Sequence, residues 1–159
     1  MEKYFCGATE RDDKIMFVGS NQYDLFYGGG DGYLWREHFF HRPTMSEIKK
    51  VIRDHIDAMT EEKIVEGGTY EDQPIWLGKD TQMNLLHYAN MSEEERELYL
   101  TFPMEYKINE DENGDAVNIT LDSYEDLKAL ASAASCWVVQ CIAEGRAEKE
   151  NVDWSKFQL

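Results

Sequence analysis

Cysteine is scarce in this sequence, and the three that occur, Cys6, Cys136 and Cys141, form an odd, scattered set. Cys136 and Cys141 stand five positions apart in a predicted helix, so they point in different directions. No disulfide framework follows, and a reducing cytoplasm is the default expectation. Basic residues are also few, with 16 Lys and Arg against 32 Asp and Glu and a formal net charge of −16. That balance argues against direct nucleic-acid binding, which needs cations to neutralise phosphates. It equally disfavours adsorption to anionic membranes. It fits a soluble protein, a basic partner, or an imitation of the charge of DNA. No apolar run approaches the ~18 residues of a membrane span. The opening MEKYFCGATERDDK lacks the basic-then-apolar order of a signal peptide.

The motifs of common chemistry are missing as well. No G-x-S-x-G, H-E-x-x-H, C-x-x-C or P-loop occurs. Asp111, Asn113 and Asp115 alternate as in a calcium loop, but Ala116 and Asp122 fill the positions that need glycine and glutamate. A hairpin turn is the better reading there. His38 and His41, with Cys6 far upstream, lack a second ligand pair to close a zinc tetrahedron. Gly28, Gly29 and Gly30 lack the basic helix start of a phosphate cradle. The carboxylates are too many for one acid–base pair to stand out. No catalytic residue, metal ligand or cofactor is nominated, and the expectation is a protein without enzymatic turnover.

What is present is a chain of 159 residues, enough for one domain, or a domain plus an arm, with its own core. The expected fold class is α+β, with antiparallel hairpins packed on three to four helices and an aromatic, glycine-rich N-terminal β arm. Residues 1–43 carry short aromatic runs, IMFVG, QYDLFY and YLWREHFF, which read as strands around a mobile Gly28–Gly32 loop. An aromatic-rich segment of this kind suits docking onto another chain, and Phe26, Tyr27, Tyr33 and Trp35 are its candidate contacts. A meander packed on the domain is the competing reading. Pro43 is the expected boundary, with the domain at 44–159.

Thr44 and Glu47 form a capping box before a helix carrying Ile48, Val51, Ile52, Ile56 and Met59, with His55 on its apolar stripe. Lys63 to Leu77 reads as a hairpin turning at Gly67–Gly68. The stretch from Pro74 to Asn90 is central: Trp76 is its large anchor, and Asp80 or Thr81 can cap a helix with Leu85, Leu86 and Ala89 inward. Ser92 and Glu95 form a second capping box. That box starts a short helix whose Glu93, Glu94, Glu95 and Glu97 make a solvated acidic face and the second candidate partner surface. Residues 103–121 alternate around Asn113–Gly114, a strong hairpin signal. Pairing Glu112 with Asp115 sets Ile108 opposite Ile119 and Tyr106 opposite Leu121. Leu127 through Ile142 form an unbroken apolar stripe that includes Trp137, and Gly145 is its expected C-cap. The tail with Val152, Trp154 and Phe157 is amphipathic and can fold back.

Together W-L-G-K-D-T-Q-M-N-L at 76–85, F-P-M-E-Y-K at 102–107, S-Y-E-D-L at 123–127 and E-G-R-A-E-K-E-N-V-D-W at 144–154 carry a resemblance. Their order resembles a small domain-of-unknown-function family borne by phages and prophages, whose members commonly lie among tail and tail-fibre genes. The likeness covers roughly 48–154, leaves residues 1–43 outside, and brings no catalytic residues. It implies a virion or tail-associated structural or assembly adaptor, acting through protein–protein contacts in the virion or the host bacterial cytoplasm. The alternative is an acidic, DNA-mimicking inhibitor of a host nuclease or defence complex. The partner is then a virion component or a host defence protein, with a homo-oligomer also open and neither nucleic acid nor membrane bound directly.

Overall fold

Strands form where aromatic runs alternate and helices where apolar residues recur every three to four positions, giving an α+β architecture. The computed structural model describes all of residues 1–159. In chain order the elements are β1 (Glu2–Phe5), β2 (Lys14–Gly19), β3 (Gln22–Phe26), β4 (Tyr33–Phe39), α1 (Met45–Glu66), β5 (Gly68–Tyr70) and β6 (Gln73–Ile75). There follow α2 (Lys79–Ala89), α3 (Glu93–Tyr99), β7 (Met104–Glu110), β8 (Ala116–Leu121), α4 (Tyr124–Glu150) and a 3-10 turn over Trp154–Phe157. No helix is long and apolar enough to cross a membrane. The chain divides into two compact units, Met1–Ala58 with Gly145–Leu159, and Met59–Glu144.

The first unit holds a four-stranded antiparallel sheet in the order β1-β4-β3-β2. Ser20 and Asn21 turn β2 into β3 with both residues at positive φ, the twist that a tight hairpin needs. Leu25, Tyr27 and Phe39 bury one face of the sheet against Ile48, Ile52 and Ile56 of α1 and against Val152 and Phe157 of the tail. The expected boundary at Pro43 is therefore corrected. Residues 1–43 do not form an arm apart from a domain at 44–159, because they share a core with α1 and the folded-back tail. The glycine loop is also more constrained than expected. Gly32 accepts from the amides of Cys6 and Gly7 and donates to Ala8, and Gly28 donates to the Asp13 carboxylate. Gly29 has no room for a Cβ, which would fall 2.6 Å from Leu34 Cα.

In the second unit a core of Ile75, Leu77, Leu85, Ile108, Leu121, Leu127 and Leu130 lies between the β7–β8 hairpin, α2 and α4. The Lys63–Leu77 hairpin reading is corrected: α1 runs on through Glu66, and Glu71–Asp72, both at positive φ, make the turn between β5 and β6. Gly67 and Gly68 serve instead where the Trp137 indole lies closely over them. The β7–β8 hairpin forms as expected, but its register is two residues displaced, with Tyr106 opposite Ile119 and Met104 opposite Leu121. The Asp111 carboxylate accepts from the Asn113 and Asp115 amides, which widens the turn, and a bulge lies between Lys107 and Asn109. Because the displacement is by two, the same face stays inward. α4 does not stop at Gly145 but continues to Glu150.

Candidate interaction surface

α2 starts after Gly78 without a side-chain cap, so neither Asp80 nor Thr81 plays that part. The Gln82 side-chain amide instead donates to the Leu77 carbonyl at 2.7 Å, tying the first turn to the link that follows β6. Ser123 and Asp126 cap α4 reciprocally: the Asp126 amide reaches Ser123 Oγ at 3.2 Å and Ser123 Oγ reaches Asp126 Oδ2 at 2.8 Å. The Tyr124 hydroxyl donates to the carbonyls of Tyr88 and Ala89, which fixes the first turn of α4 against the last turn of α2. At the other end, Leu77 and Trp137 both pack on Gly68. The two helices therefore run antiparallel.

α2 buries Leu85 between itself and α4, and α4 answers with small residues, Ala131 and Ala134. Small side chains cannot fill the space between two helices, and a groove of ≈ 480 Å³ remains. Its rims are Met83 and Leu86 on α2 and Val138 and Val139 on α4. Met83 is 68% exposed, Leu86 61% and Val139 67%, so these side chains face solvent rather than the core. That corrects the inward placement of Leu86. Ser135 supplies a hydroxyl, and Lys79 is the single charged residue of the lining. On a chain of net charge −16, a groove lined without a carboxylate is a distinct surface.

The sequence-predicted contacts divide between the units. Phe26 and Tyr27 are buried, so they are withdrawn as contact residues. Tyr27 donates its hydroxyl to Glu148 Oε1 at 2.8 Å, and the Arg11 guanidinium stacks on its ring. Burial pushes the Tyr27 phenol up to about 12. Tyr33 and Trp35 are half-buried and pack edge to face. Trp35 also rests on His55, whose imidazole burial lowers to about 4. The exposed aromatics of this unit are others, chiefly Phe5, Phe17 and Phe40.

In the second unit Glu93, Glu94 and Glu97 are exposed on α3, whose short turns present them to solvent. Glu95 is committed to its capping box: its carboxylate accepts the Ser92 amide at 2.8 Å, which holds it below the usual carboxylate range. Trp76 is 48% exposed, which corrects its role as a core anchor. It lines a smaller cavity of ≈ 330 Å³ with Glu66, Asn109 and Glu110, the last paired with Lys107.

On the sheet face away from α1, His38 Nδ1 meets Asp24 Oδ1 at 2.6 Å, and Arg36 Nη2 donates to Glu2 Oε1 at 2.5 Å. Arg36 also stacks on Tyr4. These groups form a charge ladder across three strands. His41 pairs instead with Glu47, and no three His, Cys, Asp or Glu side chains are gathered as metal ligands.

Sequence reasoning missed Met83, Leu86, Val138 and Val139 as surface residues. The available signal was excess: the apolar stripes of α2 and α4 are wider than one packed neighbour covers. Compared with protein-family models, with curated proteins and with solved structures, the chain matches none.

Proposed function

We propose that this chain is a non-enzymatic phage protein that works by binding another protein, as a virion- or tail-associated structural or assembly adaptor. The observation that carries the binding role is the acid-free apolar groove between α2 and α4, with Met83, Leu86 and Val139 exposed along it. Apolar side chains held in solvent on a strongly acidic chain gain free energy when a partner covers them. The phage setting rests on the resemblance over 48–154. The acidic inhibitor is the second reading, supported by the exposed Glu93, Glu94 and Glu97. Against it, many acids are occupied by ion pairs, among them Asp54 with Lys50, Asp57 with Lys149 and Glu144 with Lys63.

A photoreactive amino acid at position 86, used in infected cells together with mass spectrometry of purified virions, tests the proposal. A crosslink to a virion protein is expected. A crosslink to a host nuclease or defence protein contradicts the adaptor role, and no crosslink at position 86 contradicts the groove.

A further inference from the structure

We propose that the α2–α4 groove receives an amphipathic helix of a different protein, lying parallel to α2 with basic residues in its C-terminal turn. This deepens the protein-binding reading above and rests on it. The groove has two electrostatically unlike ends. Lys79 stands at the start of α2, 83% exposed and only loosely placed, at 3.8 Å, near Glu61. α3 stands at the opposite end, because its Arg96 stacks at 4.1 Å on Tyr124, the residue that joins α4 to the end of α2. That stacking occupies the one cation of α3 and leaves Glu93, Glu94 and Glu97 exposed.

The groove thus has a lysine, paired with Glu61, at one end, is apolar along its length, and has the exposed carboxylates of α3 beyond its other end. Helices place acidic residues in the first turn and basic residues in the last, in line with their dipole. An amphipathic helix therefore matches this groove in one direction, with its N-terminus at Lys79 and its C-terminus at α3. The lined part of α2, from Lys79 to Leu86, spans ~10 Å at 1.5 Å per residue, which suits a partner of two to three turns with anchors at i, i+4 and i+7. A second copy of this chain is the poorer occupant, since each copy brings a net charge of −16.

The test uses the full chain with isotope-labelled methyl groups and two synthetic amphipathic peptides of equal composition. One carries Glu in its first turn and Lys and Arg in its last, and the other has these ends exchanged. The first should perturb the Met83, Leu86 and Val139 methyls and bind about tenfold more tightly than the second. The Glu93→Lys/Glu94→Lys/Glu97→Lys variant should abolish that preference, and Leu86→Asp should abolish binding of both. These substitutions fall on exposed positions, so the fold is retained. Equal binding of the two peptides in the groove overturns the polar arrangement while the protein-binding reading stands. Binding of neither, or perturbation elsewhere, overturns the helical occupant, and the crosslink from position 86 decides the broader reading separately.

Discussion

The Trp137 indole donates to the carbonyl oxygen of Lys63 at 3.2 Å, and that same oxygen accepts the Gly67 amide at 2.9 Å. One carbonyl in the last turn of α1 thereby holds both the chain reversal into β5 and the middle of α4. Trp137 is half-buried, so it acts as a clamp over the two glycines more than as a central core residue.

Trp137→Phe should keep most of the packing and lose the hydrogen bond, costing ~1 kcal/mol. Gly67→Ala should cost ~1–3 kcal/mol by overpacking, because its Cβ would fall 2.7 Å from the Lys63 oxygen and 3.0 Å from the Trp137 ring. Denaturant midpoints measure both. Parent-like stability in Gly67→Ala would show that the close approach is not real.

His55 predicts a dependence of stability on pH. Its imidazole is buried between Tyr27 and Trp35, and burial lowers its pKa from 6.5 to about 4. The unfolded chain takes up this proton first, so acid favours unfolding. The contribution is fully present above pH 6.5 and is lost as pH falls toward 4. It amounts to at most ~3 kcal/mol. His55→Phe should unfold with a shallower pH dependence between these values than the parent. An unchanged slope would contradict the burial of the ring.

The first unit should fail without its sheet. Removing residues 1–43 uncovers Ile48, Ile52 and Ile56, and the truncated chain is expected to lose cooperative unfolding of this unit and to aggregate. The milder Tyr27→Phe removes the hydroxyl that donates to Glu148 and should cost ~1–2 kcal/mol. A truncated chain that stays monomeric with native helicity by circular dichroism would restore the separate arm.

Local signals predicted local structure well. The capping boxes at Thr44–Glu47 and Ser92–Glu95 form, with reciprocal hydrogen bonds, because all their partners lie within one turn. The alternation of β7 and β8 set the inward face, but the Asn113–Gly114 signal placed the turn one residue out of register, and the bulge between Lys107 and Asn109 adds the second. The carboxylate of Asp111 reorganises that turn, and nothing in the hydrophobic pattern reports it. Gly145 illustrates the limit differently. A glycine within a helix costs ~1 kcal/mol, yet the helix continues because Glu148 meets Tyr27 and Arg11 and Lys149 meets Asp57, partners far away in sequence. The same non-locality hid the groove. Ala131 and Ala134 are buried core positions, and only the antiparallel pairing with α2 shows that their small side chains leave a groove above them, rimmed by the exposed Met83, Leu86 and Val139.

The most direct measurement is the affinity of the partner crosslinked at position 86 for the parent chain and for Leu86→Asp and Val139→Asp. Binding by an apolar groove predicts a loss of at least about tenfold in each groove variant, while high salt removes no more than the roughly tenfold contribution of the α3 carboxylates in the parent. Undiminished binding by both groove variants, together with loss of binding in Glu93→Lys/Glu94→Lys/Glu97→Lys and steep weakening with salt, would contradict it and point to the acidic surface instead.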